Sequence, residues 1–379
     1  MFKIKNYTNL IFLIAILLVV SFLYQRYKNK LDRENDEDNY DMIQKYLLTG
    51  EDFINGSSKI KKPILWILID HEYNARSWQS FGSRSSHDLN QPYIYLSVKT
   101  IIKQCEDSFH ICLIDDDSFA KLIPDWNIHM EKVGDPIKHY IRELGMMKLL
   151  YRYGGIRVPA SFVCMRDLDE LYASGTSNGK MFICETVNRN VTSTHREFYP
   201  NVHFMGCQKE DPMVHHLIEF MQRTISKDYT SEAWFLGEFN RWCEYRVQKN
   251  QINLIDGKMI GVKTMEEEPV LIENLLANDY IDIYKNTYGI YIPANEILKR
   301  RNYEWFARLS QKQVLESRII ISKYMLLSIA PDAKMGVIEP MKENPGWVSF
   351  WKVPSGAPVW GLKPNDLGDN VPKERYPHQ

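Results

Sequence analysis

Leu149-Leu150-Tyr151-Arg152-Tyr153-Gly154-Gly155-Ile156-Arg157-Val158-Pro159-Ala160-Ser161 changes character at its middle. Upstream, Ile141, Leu144, Met147 and Tyr151 recur every three to four residues, the spacing of a buried helix face, so a helix is predicted over 137–153. Gly154 closes it, because glycine adopts the left-handed backbone on which helices commonly end. The chain then turns directly into a predicted strand, 156–165. Pro159 has no N–H to give to a ladder, so this strand end must be an edge or a bulge.

Working outward, Ile64-Leu65-Trp66-Ile67-Leu68-Ile69 is a continuous apolar run of strand length that ends in Asp70. Such runs fit a central parallel strand covered on both faces. Residues 93–104 have helical spacing. Phe109-His110-Ile111-Cys112-Leu113-Ile114 is a second buried strand ending in Asp115-Asp116-Asp117, with Ser118 expected to cap a short helix. Further strands are predicted at 181–185 and 201–207, and a helix at 213–225 after Asp211-Pro212. A turn and short helix begin at Arg166, with Asp167 and Asp169 as its caps. Beyond Ile252 the pattern shifts to short strands and turns, with a helix near 312–325 and a Pro-, Gly- and Trp-rich tail after Pro331 that wraps the surface. Strand, helix, strand with acids at the carboxyl ends predicts an open α/β sheet, mixed and mostly parallel, flanked by helices. Its ligand crevice lies at that carboxyl edge.

The remainder of the chain sets boundaries. A chain of 379 residues can bury one large core or two modest ones. A net charge of −1 supplies no basic field, which excludes a nucleic-acid partner. The six cysteines form no CxxC pair, so zinc-finger spacing is absent. Cys105 and Cys112 pair in an oxidising lumen, or the cysteines in apolar strand-like runs are free buried thiols. Residues 10–24 are an apolar run between Lys3 and Lys5 on one side and Arg26, Lys28, Lys30 and Arg33 on the other. They read as a short single-pass membrane anchor rather than a cleaved signal peptide, since no small-x-small cleavage site follows. The heavier downstream charge argues for a cytoplasmic body; the sequons at Asn55 and Asn190 suit a lumen. Orientation is therefore open between a cytoplasmic and a luminal body, in a membrane of Golgi or ER type or a viral one. The chain divides into a tail and anchor (1–31), a polar stalk (32–60), an α/β domain (61–250) and a C-terminal extension packed on it (251–379).

Arg142, Leu149-Leu150-Tyr151, Tyr153-Gly154-Gly155-Ile156, Ala160 and Asp167-Leu168 stand in the order of a known sugar-binding segment. Over roughly 62–225 the chain resembles the capsular-polysaccharide-synthesis glycosyltransferases and their mannosyltransferase relatives, which have the GT-A fold. The resemblance implies a nucleotide-sugar donor, a divalent metal (Mn²⁺ or Mg²⁺) and transfer to a glycan or glycoconjugate acceptor. It places Arg142, Tyr153, Gly154 and Gly155 at the donor, and Asp115 near the nucleoside. The family ends the strand in acidic metal ligands. Here Pro159 and Ser161 occupy those positions: proline has no donor atom and serine is a weak neutral ligand.

Two accounts of Arg157 follow. Either its planar fork replaces the metal and clamps phosphate, or it faces solvent on a strand edge. Glu232 and Glu238, near Trp234 and Trp242, are the candidate bases for an acceptor hydroxyl. His203, His215 and His216 offer no metal-binding arrangement by spacing; the last two are adjacent on a helix and point apart. Two functions fit: a membrane-anchored glycosyltransferase with an altered or metal-independent donor site, or an inactive relative kept as a structural or carbohydrate-binding protein, for example in a virion or membrane.

Overall fold

In the computed structural model of the protein, the described residues are 62–69, 91–124, 126–134, 137–188, 197–227, 237–299 and 302–329, together with Val20, Ser21, Leu23 and Tyr24, which are helical. The stalk, the tail after Pro331, Asp70, Asn55, Asn190, Glu232 and most of the expected anchor lie outside them. Among the described residues no helix is long and apolar enough to cross a membrane.

The chain alternates as expected: β1 (Ile64–Leu68), α1 (Pro92–Cys105), β2 (His110–Ile114), α2 (Asp116–Leu122), α3 (Ile137–Tyr153) and β3 (Gly155–Arg157). There follow β4 (Phe162–Cys164), α4 (Asp169–Gly175), β5 (Phe182–Val187), β6 (Phe198–Cys207), α5 (Pro212–Ile225), α6 (Glu238–Gln248) and β7 (Asn253–Ile255). The remainder is short pieces: α7 (Ile272–Leu276), β8 (Gly289–Tyr291), α8 (Ala294–Lys299), α9 (Glu304–Ala307), α10 (Gln311–Leu315) and α11 (Ile320–Ile329). The single helix expected near 312–325 is thus two, with Ser317 buried at the break.

Six strands form one sheet in the order β2-β1-β3-β6-β5-β7. β1 pairs in parallel with both β2 and β3, and β5 with β7; β6 alone runs antiparallel to its neighbours β3 and β5. β1 is central, which is why Ile64-Leu65-Trp66-Ile67 is apolar at every position: both faces of the sheet are covered. Leu65, Ile67, Ile111, Leu113 and Ile156 face a core completed by Val98 and Ile101 of α1 and by Ile272, Phe306 and Ile321. Ile64, Trp66, Cys112 and Ile114 face the other core, with Leu144 and Met147 of α3 and Leu217 and Met221 of α5. The two-residue period of a strand divides the side chains between these cores.

The Gly-Gly corner has a physical reason at each residue. Gly154 sits at φ +70° and its N–H donates to the Leu150 carbonyl at 2.8 Å, which closes α3. Gly155 sits at φ +104°, and a Cβ there would collide with the Ile64 carbonyl oxygen. The corner is pinned from the sheet by Trp66, whose buried Nε1 donates to the Gly154 carbonyl at 2.9 Å.

The predicted strand 156–165 is two strands in different sheets. β3 stops at Arg157, and the Val158 N–H makes a last bond to the Trp66 carbonyl at 2.9 Å. Pro159 follows at the point where the chain leaves the sheet, so its missing N–H interrupts nothing. β4 then pairs antiparallel with β8 in a separate two-stranded sheet, Val163 opposite Ile290. All six cysteines are buried and free; Cys105 lies against Cys164, with sulfurs 3.8 Å apart, and not against Cys112.

Candidate functional site at the carboxyl edge of the sheet

β1, β2 and β3 all end at one edge. Because β6 runs the other way, its early residues reach that edge too, and His203 lies just beyond the pairing of Arg157 with Met205. α3 enters β3 through the glycine corner at the opposite edge, so its first turns return to the carboxyl ends. The edge therefore collects Asp115 and Asp116 from the end of β2, Lys138, His139, Arg142 and Glu143 from α3, Arg157 from β3 and His203 from β6.

Eleven residues of α3 are buried, Arg142 and Glu143 among them, so their charges need partners inside the protein. Glu143 meets Arg157 fork to fork: Nη1 donates to Oε2 at 2.5 Å and Nη2 to Oε1 at 2.7 Å. Both side chains are nearly inaccessible, at 4 % and 3 % exposed. Arg157 Nη1 also donates to the Val202 carbonyl at 3.2 Å, and Nη2 lies 3.4 Å from His203 Nδ1. Burial by itself would raise the Glu143 pKa, but the Arg157 charge and hydrogen bonds outweigh it and hold the carboxyl well below the usual range. Burial lowers the pKa of His203, helped by the charges of Arg157 and His139 and opposed by Glu143. About a third of the His203 side chain remains exposed, so that desolvation acts on part of the ring. His203 is neutral at pH 7, which leaves Arg157 as the group that keeps Glu143 ionised.

A second ion pair lies beside the first. Arg142 grips Asp116 through Nε (2.7 Å) and Nη2 (2.6 Å), with Lys138 Nζ at 3.5 Å. Burial opposes ionisation of Asp116, and these two cations outweigh it, so its pKa is lowered.

The structure reassigns most of the residues expected at a donor site. Arg157 does not face solvent; it is a buried cation paired with Glu143. Arg142 is engaged by Asp116. Asp115, not Ser118, is the N-cap of α2: its Oδ1 accepts from the Ser118 N–H at 2.9 Å, and Ser118 Oγ returns the contact to the Asp115 N–H at 3.3 Å. Tyr153 donates its hydroxyl to the Leu122 carbonyl at 2.8 Å and rests on Trp66, ring centroids 5.8 Å apart. Gly154 and Gly155 shape the corner at the far edge of the sheet. Ser161, 5 % exposed, donates to the Ile292 carbonyl at 2.7 Å. Neither Asp167 nor Asp169 caps α4: its N-cap is Leu168, without a side-chain bond, and Asp169 is its first residue; Asp167 instead accepts from the Asp169 N–H at 3.2 Å and from the Ser108 hydroxyl.

Glu238 opens α6 and meets Arg241 at 3.5 Å. Asn240 from the same turn accepts from the Val202 N–H at 3.2 Å, and Phe239 packs edge-on against Tyr140. The start of α6 therefore flanks the edge, but no described contact joins Glu238 to the Glu143–Arg157 pair.

The metal implied by the resemblance does not fit these residues. Pro159 has no donor, and the Ser161 hydroxyl is committed to a backbone carbonyl.

Sequence reasoning passed over Glu143 and His139. The available signal was a carboxylate inside an otherwise apolar helix together with an arginine inside an apolar strand, each requiring a counter-charge. His215 and His216 also depart from expectation: both reach Glu219, each Nδ1 3.6 Å from a carboxylate oxygen, because residues three and four apart share a helix face with it. Comparison with family models, with curated proteins and with solved structures found no match for the chain.

Proposed function

We propose that this chain is a glycosyltransferase-like α/β domain without metal-dependent sugar transfer, serving as a structural or carbohydrate-binding module. The observation that carries the proposal is the bidentate Glu143–Arg157 pair, buried where a donor diphosphate would need a free cation or a metal. Drawing Arg157 out to a phosphate would leave Glu143 buried and uncompensated. Breaking a buried pair in this way costs about 3–5 kcal/mol, which any anion would have to overcome before showing net affinity. Ser161 and Arg142 are similarly occupied, by the Ile292 carbonyl and by Asp116. The same sheet, with five of its six strands running one way and its charged residues gathered at the carboxyl edge, suits the GT-A-like fold on which the proposal rests.

The test is a donor-turnover assay on the full chain, measuring release of UDP, GDP or CMP from the corresponding sugar nucleotides with Mn²⁺ and with a chelator. No release above a protein-free blank is expected in either condition. Release above the blank that Mn²⁺ stimulates would show an active transferase and overturn the proposal.

A further inference from the structure

We propose that His139, Glu143 and His203 form a binding site for one divalent transition-metal ion of the zinc class. His139 and Glu143 stand four residues apart on α3, so they share a face; His203 reaches them from β6. One ligand atom from each of the three lies within 4.8 Å of the other two. His203 Nδ1 and Glu143 Oε1 are 3.5 Å apart. Zinc bonds of about 2.0–2.2 Å in a tetrahedron set donor atoms roughly 3.4 Å apart, so this pair already has the required spacing. The His139 imidazole has to close by about 1.4 Å at most, a small torsional adjustment for a partly exposed ring. The two rings are stacked, with centroids 5.8 Å apart, and both belong to the same end of the site.

Arg157 does not consume the carboxylate, although its Nη2 also lies 3.4 Å from His203 Nδ1 and has to yield that contact when the nitrogen binds an ion. Each carboxylate oxygen has two acceptor positions, and a bidentate arginine takes one on each. The guanidinium holds Glu143 in place, as outer partners of metal ligands do. It also adds positive charge, so the expected affinity is below that of a site with an unpaired carboxylate. Two imidazoles and one carboxylate favour zinc or cobalt over the harder Mg²⁺ and Mn²⁺. His203 is 32 % exposed on its side chain and His139 is partly exposed, so a fourth position is open to water. The site uses neither Pro159 nor Ser161 and needs no nucleotide, but it shares Glu143 with the pair that carries the function proposed above; Zn²⁺ binding without sugar-nucleotide turnover leaves that function standing.

The exposed trio His215, His216 and Glu219 on α5 also falls within metal-holding distance and would confuse a simple titration. The experiment is therefore run on the full chain carrying His215→Ala and His216→Ala, stripped with a chelator, then titrated calorimetrically with Zn²⁺ and spectroscopically with Co²⁺. One equivalent should bind, Co²⁺ should give a visible d–d spectrum, and a large excess of Mg²⁺ should not compete. His139→Ala or His203→Ala in that background should each weaken binding at least tenfold; both side chains are partly exposed, and a thermal melt of each variant establishes that it is folded. Loss of binding in the His215→Ala/His216→Ala background, or binding unaffected by His139→Ala and His203→Ala in folded protein, would overturn the site.

Discussion

Removing the charge of Glu143 should destabilise the fold strongly, because Arg157 would remain in the interior without its partner. Glu143→Gln and Arg157→Met each remove one half of a pair whose members are 3 % and 4 % exposed and joined by two short hydrogen bonds. Orphaning a buried charge costs about 3–5 kcal/mol, whereas replacing both halves is often close to neutral. Each single variant should therefore lose about that amount in urea unfolding. At about 2–4 °C per kcal/mol, the thermal midpoint should fall by roughly 6–20 °C. The double variant should cost clearly less than the sum, with a coupling of about 1–3 kcal/mol in a double-mutant cycle. The pH dependence has a definite sign. Glu143 is held below its ordinary value of 4.5, so the unfolded chain takes up a proton that the folded protein refuses. The pair's contribution is fully present above pH 4.5 and is lost as pH falls below it. The acid limb of the stability curve should be shallower in the double variant. A Glu143→Gln loss under about 1 kcal/mol, with no coupling to Arg157, would contradict the pairing and restore Arg157 as a candidate anion clamp.

Three further outcomes are expected. Ser161→Asp, a change toward the acidic ligand of the resembling family, sets a carboxylate against the Ile292 carbonyl in place of a donor. It should cost about 1–3 kcal/mol in chemical denaturation and create no Mn²⁺ site; a neutral effect would mean that the hydroxyl is not committed as described. Gly155→Ala should fail to yield folded protein by circular dichroism and size-exclusion chromatography, since φ is +104° and the added carbon meets the Ile64 carbonyl; a well-folded product would remove the geometric reason for the corner. His203, lowered from 6.5, leaves the unfolded state binding more protons, so its share of stability declines as pH falls below 6.5. His203→Asn should flatten that stretch of the curve measured at fixed denaturant, while His110, lowered in the same direction, contributes equally in both proteins.

The local parts of the fold were legible. The α3–Gly154–Gly155–β3 unit could be read because its signals lie within a few residues of one another: helical spacing, a residue that tolerates positive φ, and an apolar strand. β1 was legible because a strand covered on both faces must be apolar throughout. Pro159 signalled an interruption, but not its form: a single strand over 156–165 with an edge or bulge was expected, whereas β3 is an interior strand that ends at Arg157. What it could not reveal was the partner of the strand that follows, since Ser161 is tied to Ile292, 131 residues later in the chain. The candidate site was less legible still. Glu143 and Arg157 are only 14 residues apart, but they meet across a helix–sheet interface, and several other acids were equally available by sequence. Reading Arg157 as a phosphate clamp assumed that its charge was free; the deciding fact, a buried carboxylate on the facing helix, is a property of packing. Capping went similarly: Asp115 and Ser118 both suit an N-cap, and only backbone geometry assigns the role to Asp115.

The central claim is that charge at the carboxyl edge is satisfied internally and is not held ready for a sugar nucleotide. It is tested most directly by calorimetric titration of the full chain with UDP-, GDP- and CMP-sugars in the presence of Mn²⁺, with Mn²⁺ alone as the blank. No saturable nucleotide-dependent heat is predicted for any of the three; saturable, Mn²⁺-dependent binding of any sugar nucleotide would contradict it.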